Sequence, residues 1–149
     1  MEKAFIFDRD GTLIEDRHYI SSPFFVRLIP GVRERLINLY ESGNRLFIVS
    51  NQSGIRRGYF SYDRLMEIDR RMKELLYPVR FEETFYCIHH PSERCPCRKP
   101  APYFIWKIQG KYKLKREEMV FVGNSRVDEE TASNAGIRFV HILDFLRSF

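Results

Sequence analysis

Two carboxylates one residue apart, Asp8 and Asp10, follow an apolar run and lead into Gly-Thr in the segment FIFDRDGTLI. A carboxylate at the end of a strand can attack phosphorus and divide hydrolysis of a phosphate ester into formation and breakdown of an acyl phosphate. A second carboxylate beside it can protonate the leaving oxygen and later deprotonate water. The pair also suits a hard cation such as Mg²⁺, which takes one or two protein carboxylates and keeps several waters. The plain alternative is an acidic turn after a strand, because Asp-Gly is a common turn dipeptide.

A second group lies in YCIHHPSERCPCRKP, residues 86–100, which contains all three cysteines of the chain. Cys87-x-His89 and Cys95-x-Cys97 present four ligands in two close pairs, and a closed Cys₃His set is typical of structural Zn²⁺. His90 is the alternative imidazole. An odd number of thiols argues against a disulfide framework, and Cys-x-Cys is a tight spacing for an unstrained bridge. The competing reading is three ordinary buried cysteines beside unrelated histidines, but structural cysteines usually disperse through a core.

The elements that must position these groups alternate. Apolar runs at 3–7, 45–50, 82–87, 119–123 and 138–143 read as strands, and each ends near polar, small or ligand-capable residues. Helical spacing follows Pro30-Gly31, with Val32, Leu36, Leu39 and Tyr40 on one face and Gly43 as terminator. Ser61 is placed to cap a second helix with Leu65, Met66, Asp69, Met72 and Leu76 along its stripe, stopped by Pro78. A third helix is expected after Pro100, over PYFIWKIQGKY and broken near Gly110, and a short fourth over DEETASNAG. Strands alternating with helices predict an α/β domain over residues 1–149: a Rossmann-like, mostly parallel sheet with helices on both faces. Such sheets bind ligands beyond the carboxyl ends of their strands.

At 149 residues, 44% hydrophobic and 30% charged, the chain is long enough to bury a core and lacks the composition of a disordered segment. No apolar run approaches the ~20 residues of a membrane span, and the N-terminal residues lack the pattern of a secretory signal. A cytoplasmic protein, monomeric by default, is expected. The net charge of +5 suits an anionic partner. Basic and acidic residues are interspersed, as in RRMKELL, and no nucleic-acid-binding motif is present, so a small phosphorylated metabolite is the expected partner rather than nucleic acid.

FIFDRDGTLI resembles the first motif of the haloacid dehalogenase superfamily of phosphatases. IPGV, SNQSGIRRGYF, CIHHP and CPCRKP together resemble the heptose-1,7-bisphosphate 7-phosphatase and histidinol-phosphate phosphatase group, from about Lys3 to Gly136. The resemblance implies Asp8 as nucleophile, Asp10 as acid and base, and Ser50 and Lys99 as ligands of the transferring phosphoryl group. It implies substrate contacts at Asp16, Arg17, His18, Tyr19, Asn51, Gln52, Ser53, Arg98 and Lys99. Mg²⁺ would lie at Asp8, Asp10 and Asn124, and structural Zn²⁺ at Cys87, His89, Cys95 and Cys97, in a loop at about 87–97. No large cap domain is expected. Asn124 stands where the family usually has Asp, and Ser125 where it often has Lys; an Asn oxygen can coordinate Mg²⁺ but adds no charge. Nucleic-acid 3′-phosphatase activity, or a descendant that binds phosphate without turnover, are the alternatives.

Overall fold

The computed structural model describes residues 3–148. Five parallel strands, β1 (Ala4–Phe7), β2 (Arg45–Asn51), β3 (Glu83–Cys87), β4 (Met119–Gly123) and β5 (Arg138–His141), form one sheet in the order β3-β2-β1-β4-β5. β1 is central, with Phe7 beside Ile48 of β2 and Val122 of β4. The strand order reverses between β1 and β4, and a ligand crevice is expected at the carboxyl ends there.

The three central strands are buried on both faces, so their side chains divide by parity. Phe5, Phe7, Leu46, Ile48, Val120 and Val122 pack with helices α1 (Val32–Glu41), α2 (Tyr62–Leu75) and α5 (Ile142–Ser148). Ala4, Ile6, Phe47, Val49, Met119 and Phe121 pack with α3 (Tyr103–Tyr112) and α4 (Arg126–Ala135). The result is the expected α/β architecture with helices on both faces of a parallel sheet, and all five strands belong to that sheet. Among the described residues, no helix is long and apolar enough to cross a membrane.

Three local expectations are corrected. The fifth strand stops at His141 instead of Leu143, because β4 offers no partner beyond Gly123 and the His141 ring accepts a hydrogen bond from the Leu143 amide at the start of α5. α3 runs through Gly110 to Tyr112 and is capped by Lys113, which has φ 54°. A solvent-facing glycine costs a helix only about 1 kcal/mol, too little to break one packed through Ile105 and Ile108. On α2 the buried line is Leu65, Ile68 and Met72, while Met66 and Asp69 border a lateral cavity. The Ser61 cap is present, accepting from the Arg64 amide.

Candidate active site

The chain coils sharply as it leaves β1. The Arg9 carbonyl accepts from the amides of Thr12, Leu13 and Ile14, and Gly11 adopts φ 80°. A Cβ on Gly11 would overlap the Asn124 amide, so only glycine allows the first and fourth strand ends to approach this closely.

Asp8 is buried at the tip of β1, and its Oδ1 accepts from Lys99 Nζ at 2.9 Å. The same ammonium donates to Asp128 Oδ1 at 2.6 Å. Burial pushes the Asp8 carboxyl up to about 6 from its ordinary 3.8; Lys99 pulls it down, while Asp128 and Asp10 push it up. For Lys99, burial pulls the pKa down, but Asp8 and Asp128 outweigh it and hold the value above that of an ordinary lysine. Asp128 is tied on its other oxygen, since Oδ2 accepts from the Asn124 and Ser125 amides at 3.2 and 3.3 Å. Its carboxylate therefore anchors Lys99 to the start of α4. Asn51 holds the main chain of Lys99, accepting from its N–H and donating to its carbonyl at 3.0 and 3.2 Å.

Asp10 faces a different set of partners. Arg9 Nε and Nη2 donate to its two oxygens at 3.1 and 3.2 Å, and Gln52 Nε2 donates to Oδ2 at 2.9 Å. Gln52 also donates to Ser50 Oγ at 3.1 Å. Asp8, Asp10, Asp16, Ser50, Asn51, Lys99, Asn124, Ser125 and Asp128 line a single cavity of about 250 Å³ at the carboxyl end of the sheet. Its oxygen donors, carboxylates with the Asn124 amide, are chemically suited to a hard cation.

The residues expected to contact substrate separate into groups. Asp16, His18, Tyr19, Asn51 and Gln52 border an adjoining cavity of about 180 Å³ with Asp10. His18 and Tyr19 both have left-handed backbones, φ 53° and 62°, stabilised in part by the Asp16 carboxylate accepting from the His18 amide. The Tyr19 ring meets Tyr59 at 4.8 Å and lies under the Arg57 guanidinium at 5.7 Å, while Arg57 Nε donates to Ser53 Oγ. Ser53 thus serves as an anchor for Arg57. Arg17 pairs with Glu15 and packs on Phe25, and it lines neither cavity. Arg98 also lines neither, and its buried Nη1 has no hydrogen-bond partner.

The cysteine loop begins where β3 ends. Cys87, Cys95 and Cys97 sulfurs lie 3.0–3.6 Å apart, with His89 Nδ1 3.4 and 3.6 Å from Cys97 and Cys87. All four ligand atoms fall within 4.8 Å of one another. A tetrahedral ion with Zn–S bonds of about 2.3 Å needs sulfurs about 3.8 Å apart, so a small expansion admits Zn²⁺. His90 is engaged elsewhere, accepting from the Ser92 amide to cap the turn at Pro91–Glu93. Burial and the neighbouring thiols push the Cys97 thiol strongly up, which a bound cation would reverse.

Arg9, the hold of Asp128 on Lys99 and the fixing role of Asn51 were not legible in the sequence. The signal at Arg9 is a charge enclosed by two carboxylates after an apolar strand. The Asp128 signal is Ser-x-x-Asp at a helix start, where Ser125 accepts from the Asp128 amide.

A profile of the polynucleotide kinase 3 phosphatase family matches residues 3–145. The chain belongs to that family. It is a haloacid dehalogenase-like phosphatase, a phosphoric monoester hydrolase. This phosphatase is 33% identical over 146 residues to D-glycero-beta-D-manno-heptose-1,7-bisphosphate 7-phosphatase of Haemophilus influenzae, covering 93% of this chain and 79% of the relative. The enzyme of the same name from Pseudomonas putida is 34% identical over 141 residues, covering 90% and 78%. The solved D,D-heptose 1,7-bisphosphate phosphatase of B. bronchiseptica, complexed with magnesium and phosphate, superposes with a TM-score of 0.88 at 30% identity, covering 92% of this chain and 78% of that one.

Proposed function

We propose that this phosphatase hydrolyses the 7-phosphate of D-glycero-D-manno-heptose 1,7-bisphosphate through an aspartyl-phosphate on Asp8. The observation that carries the chemistry is the buried Lys99 ammonium held between Asp8 and Asp128, at the mouth where Ser50 and Asn124 also converge. It keeps a cation beside the nucleophile and beside the place a phosphoryl group must occupy. The substrate assignment rests on the names of the relatives at 33 and 34% identity.

An Asp8 oxygen attacks phosphorus in line, and the ester P–O bond breaks as Asp10 gives its proton to the departing sugar oxygen. Asp10, now a carboxylate, takes a proton from the water that attacks the acyl phosphate. Inorganic phosphate leaves, and the Asp8 carboxylate returns with Asp10 protonated. Lys99 and Ser50 bind the oxygens of the transferring group, and Asn51 and Asp128 keep Lys99 in place. Asp8, Asp10 and Asn124 would hold Mg²⁺, which when bound offsets repulsion between the carboxylate and the phosphate dianion. Cys87, His89, Cys95 and Cys97 would hold structural Zn²⁺. Clustered free thiols suit a reducing compartment, and we read the enzyme as a cytoplasmic, single-domain protein acting on small sugar phosphates.

A substrate panel tests this reading: heptose 1,7-bisphosphate, histidinol phosphate and a 3′-phosphorylated oligonucleotide, each with and without Mg²⁺. The expected result is the highest kcat/KM on the bisphosphate, dependent on Mg²⁺ and abolished in Asp8→Asn. Preference for the oligonucleotide would overturn the substrate, and release that persists in Asp8→Asn would overturn the mechanism.

A further inference from the structure

Among the described residues Arg9 has the largest fully buried side chain, 1% exposed, and its charge is paired with the acid/base carboxylate. Burying a guanidinium is costly unless it is paired. The pairing is two-pronged: Nε and Nη2 meet the two oxygens of Asp10, and Nη2 also donates to Gln52 Oε1 at 2.9 Å. Gln52, itself buried, returns Nε2 to Asp10 Oδ2 and to Ser50 Oγ. Behind the guanidinium stands the Tyr86 ring of β3, 5.7 Å from Arg9 Cζ. The Tyr86 hydroxyl donates to Asp69 of α2 at 2.7 Å, and Asp69 accepts from Lys73 at 2.8 Å. The Asp10 carboxylate is therefore gripped by two buried residues that are themselves braced by the second strand, the edge strand and a helix.

We infer that Arg9 and Gln52 are positioning residues for proton transfer by Asp10, fixing the plane of its carboxylate and the side it presents to the departing oxygen. Hydrogen bonds from Arg9 Nε, Arg9 Nη2 and Gln52 Nε2 hold that plane, and Arg9 Nη2 also lies 3.1 Å from Oδ1, so both oxygens are gripped. A carboxylate held this way loses little rotational freedom when the proton moves.

This inference rests on Asp10 being the proton donor, and the experiment separates the two. kcat/KM, which reports the first chemical step, is measured on an alkyl phosphate, whose alkoxide must be protonated to leave, and on p-nitrophenyl phosphate, whose phenolate leaves unaided. Variants are Gln52→Met, which preserves buried volume, Arg9→Met, Arg9→Lys and Asp10→Asn, with melting curves to verify folding. The expected loss for Gln52→Met and Arg9→Met is roughly 10- to 100-fold on the alkyl ester and no more than about threefold on the aryl ester. Arg9→Lys should recover part of the alkyl activity. Equal losses on both esters in folded Gln52→Met and Arg9 variants, while Asp10→Asn shows the alkyl-selective loss, would overturn the positioning role alone. Equal losses in Asp10→Asn would overturn the acid assignment beneath it.

Discussion

At the scale of single residues, the site sets stability against reactivity. Asp8 has a folded pKa raised from 3.8 to about 6, so the fold binds a proton that the unfolded chain releases across that window. Stability of the metal-free protein therefore falls as pH rises from about 4 to 6, and the cost of the buried charge is fully present above it. Asp8→Asn should abolish turnover and make the metal-free protein lose less stability than wild type between pH 3.5 and pH 7.5. Thermal melts of both proteins at the two pH values check this, and Mg²⁺ should raise the melting temperature of wild type more than that of the variant. Gly123 carries a different constraint, because a Cβ there would lie 2.5 Å from Asp128 Oδ2. Gly123→Ala is expected to displace the anchor of Lys99, costing about 1–3 kcal/mol in the melt and lowering kcat/KM at least tenfold.

At the scale of elements, the cysteine loop leads directly into the placement of a lysine. β3 ends on Cys87, the loop closes at Cys97, and Lys99 follows two residues later with its main chain held by Asn51 of β2. A cluster of three thiols and an imidazole is not held together by dispersion alone, and metal affinity becomes folding free energy of the loop. Purified protein should contain about one equivalent of zinc. Cys97→Ser should lower the melting temperature by roughly 10 °C and broaden the loss to kcat, while the requirement for Mg²⁺ persists. Metal analysis and melting curves read both outcomes, and a variant that retains wild-type stability would contradict the clamp.

At the scale of the whole molecule, segments about forty residues apart meet at the rim of the crevice: His18 and Tyr19 after β1, and Arg57 and Tyr59 after β2. Arg57 has no carboxylate partner among the described residues, unlike Arg17 and Arg56. A half-buried cation of that kind suits the non-reacting phosphate of a bisphosphate. Arg57→Ala should raise KM for heptose 1,7-bisphosphate about tenfold with a smaller change in kcat, and shift p-nitrophenyl phosphate far less. Steady-state kinetics on the two esters measures that ratio.

Much of this molecule was legible in the sequence because it is encoded locally. Apolar runs ending in polar residues located the strand tips, a parallel sheet places chemistry there, and the resemblance of those segments to a phosphatase family singled out Asp8, Ser50 and Asn124. Paired ligand spacings likewise singled out Cys87, His89, Cys95 and Cys97. Periodicity could not say where a strand becomes a helix at Ile142, since that is decided by how far β4 extends beside it. Nor could it say which way a polar side chain turns at a strand end. Gln52, expected to face substrate, turns inward to Asp10 and Arg9, and Asp128 holds Lys99. Spacing fixed which groups are near the crevice, whereas their partners, 91 residues apart for Lys99 and Asp8, are chosen by burial. A buried charge must find its opposite wherever the fold brings one, and only the tertiary structure supplies that choice.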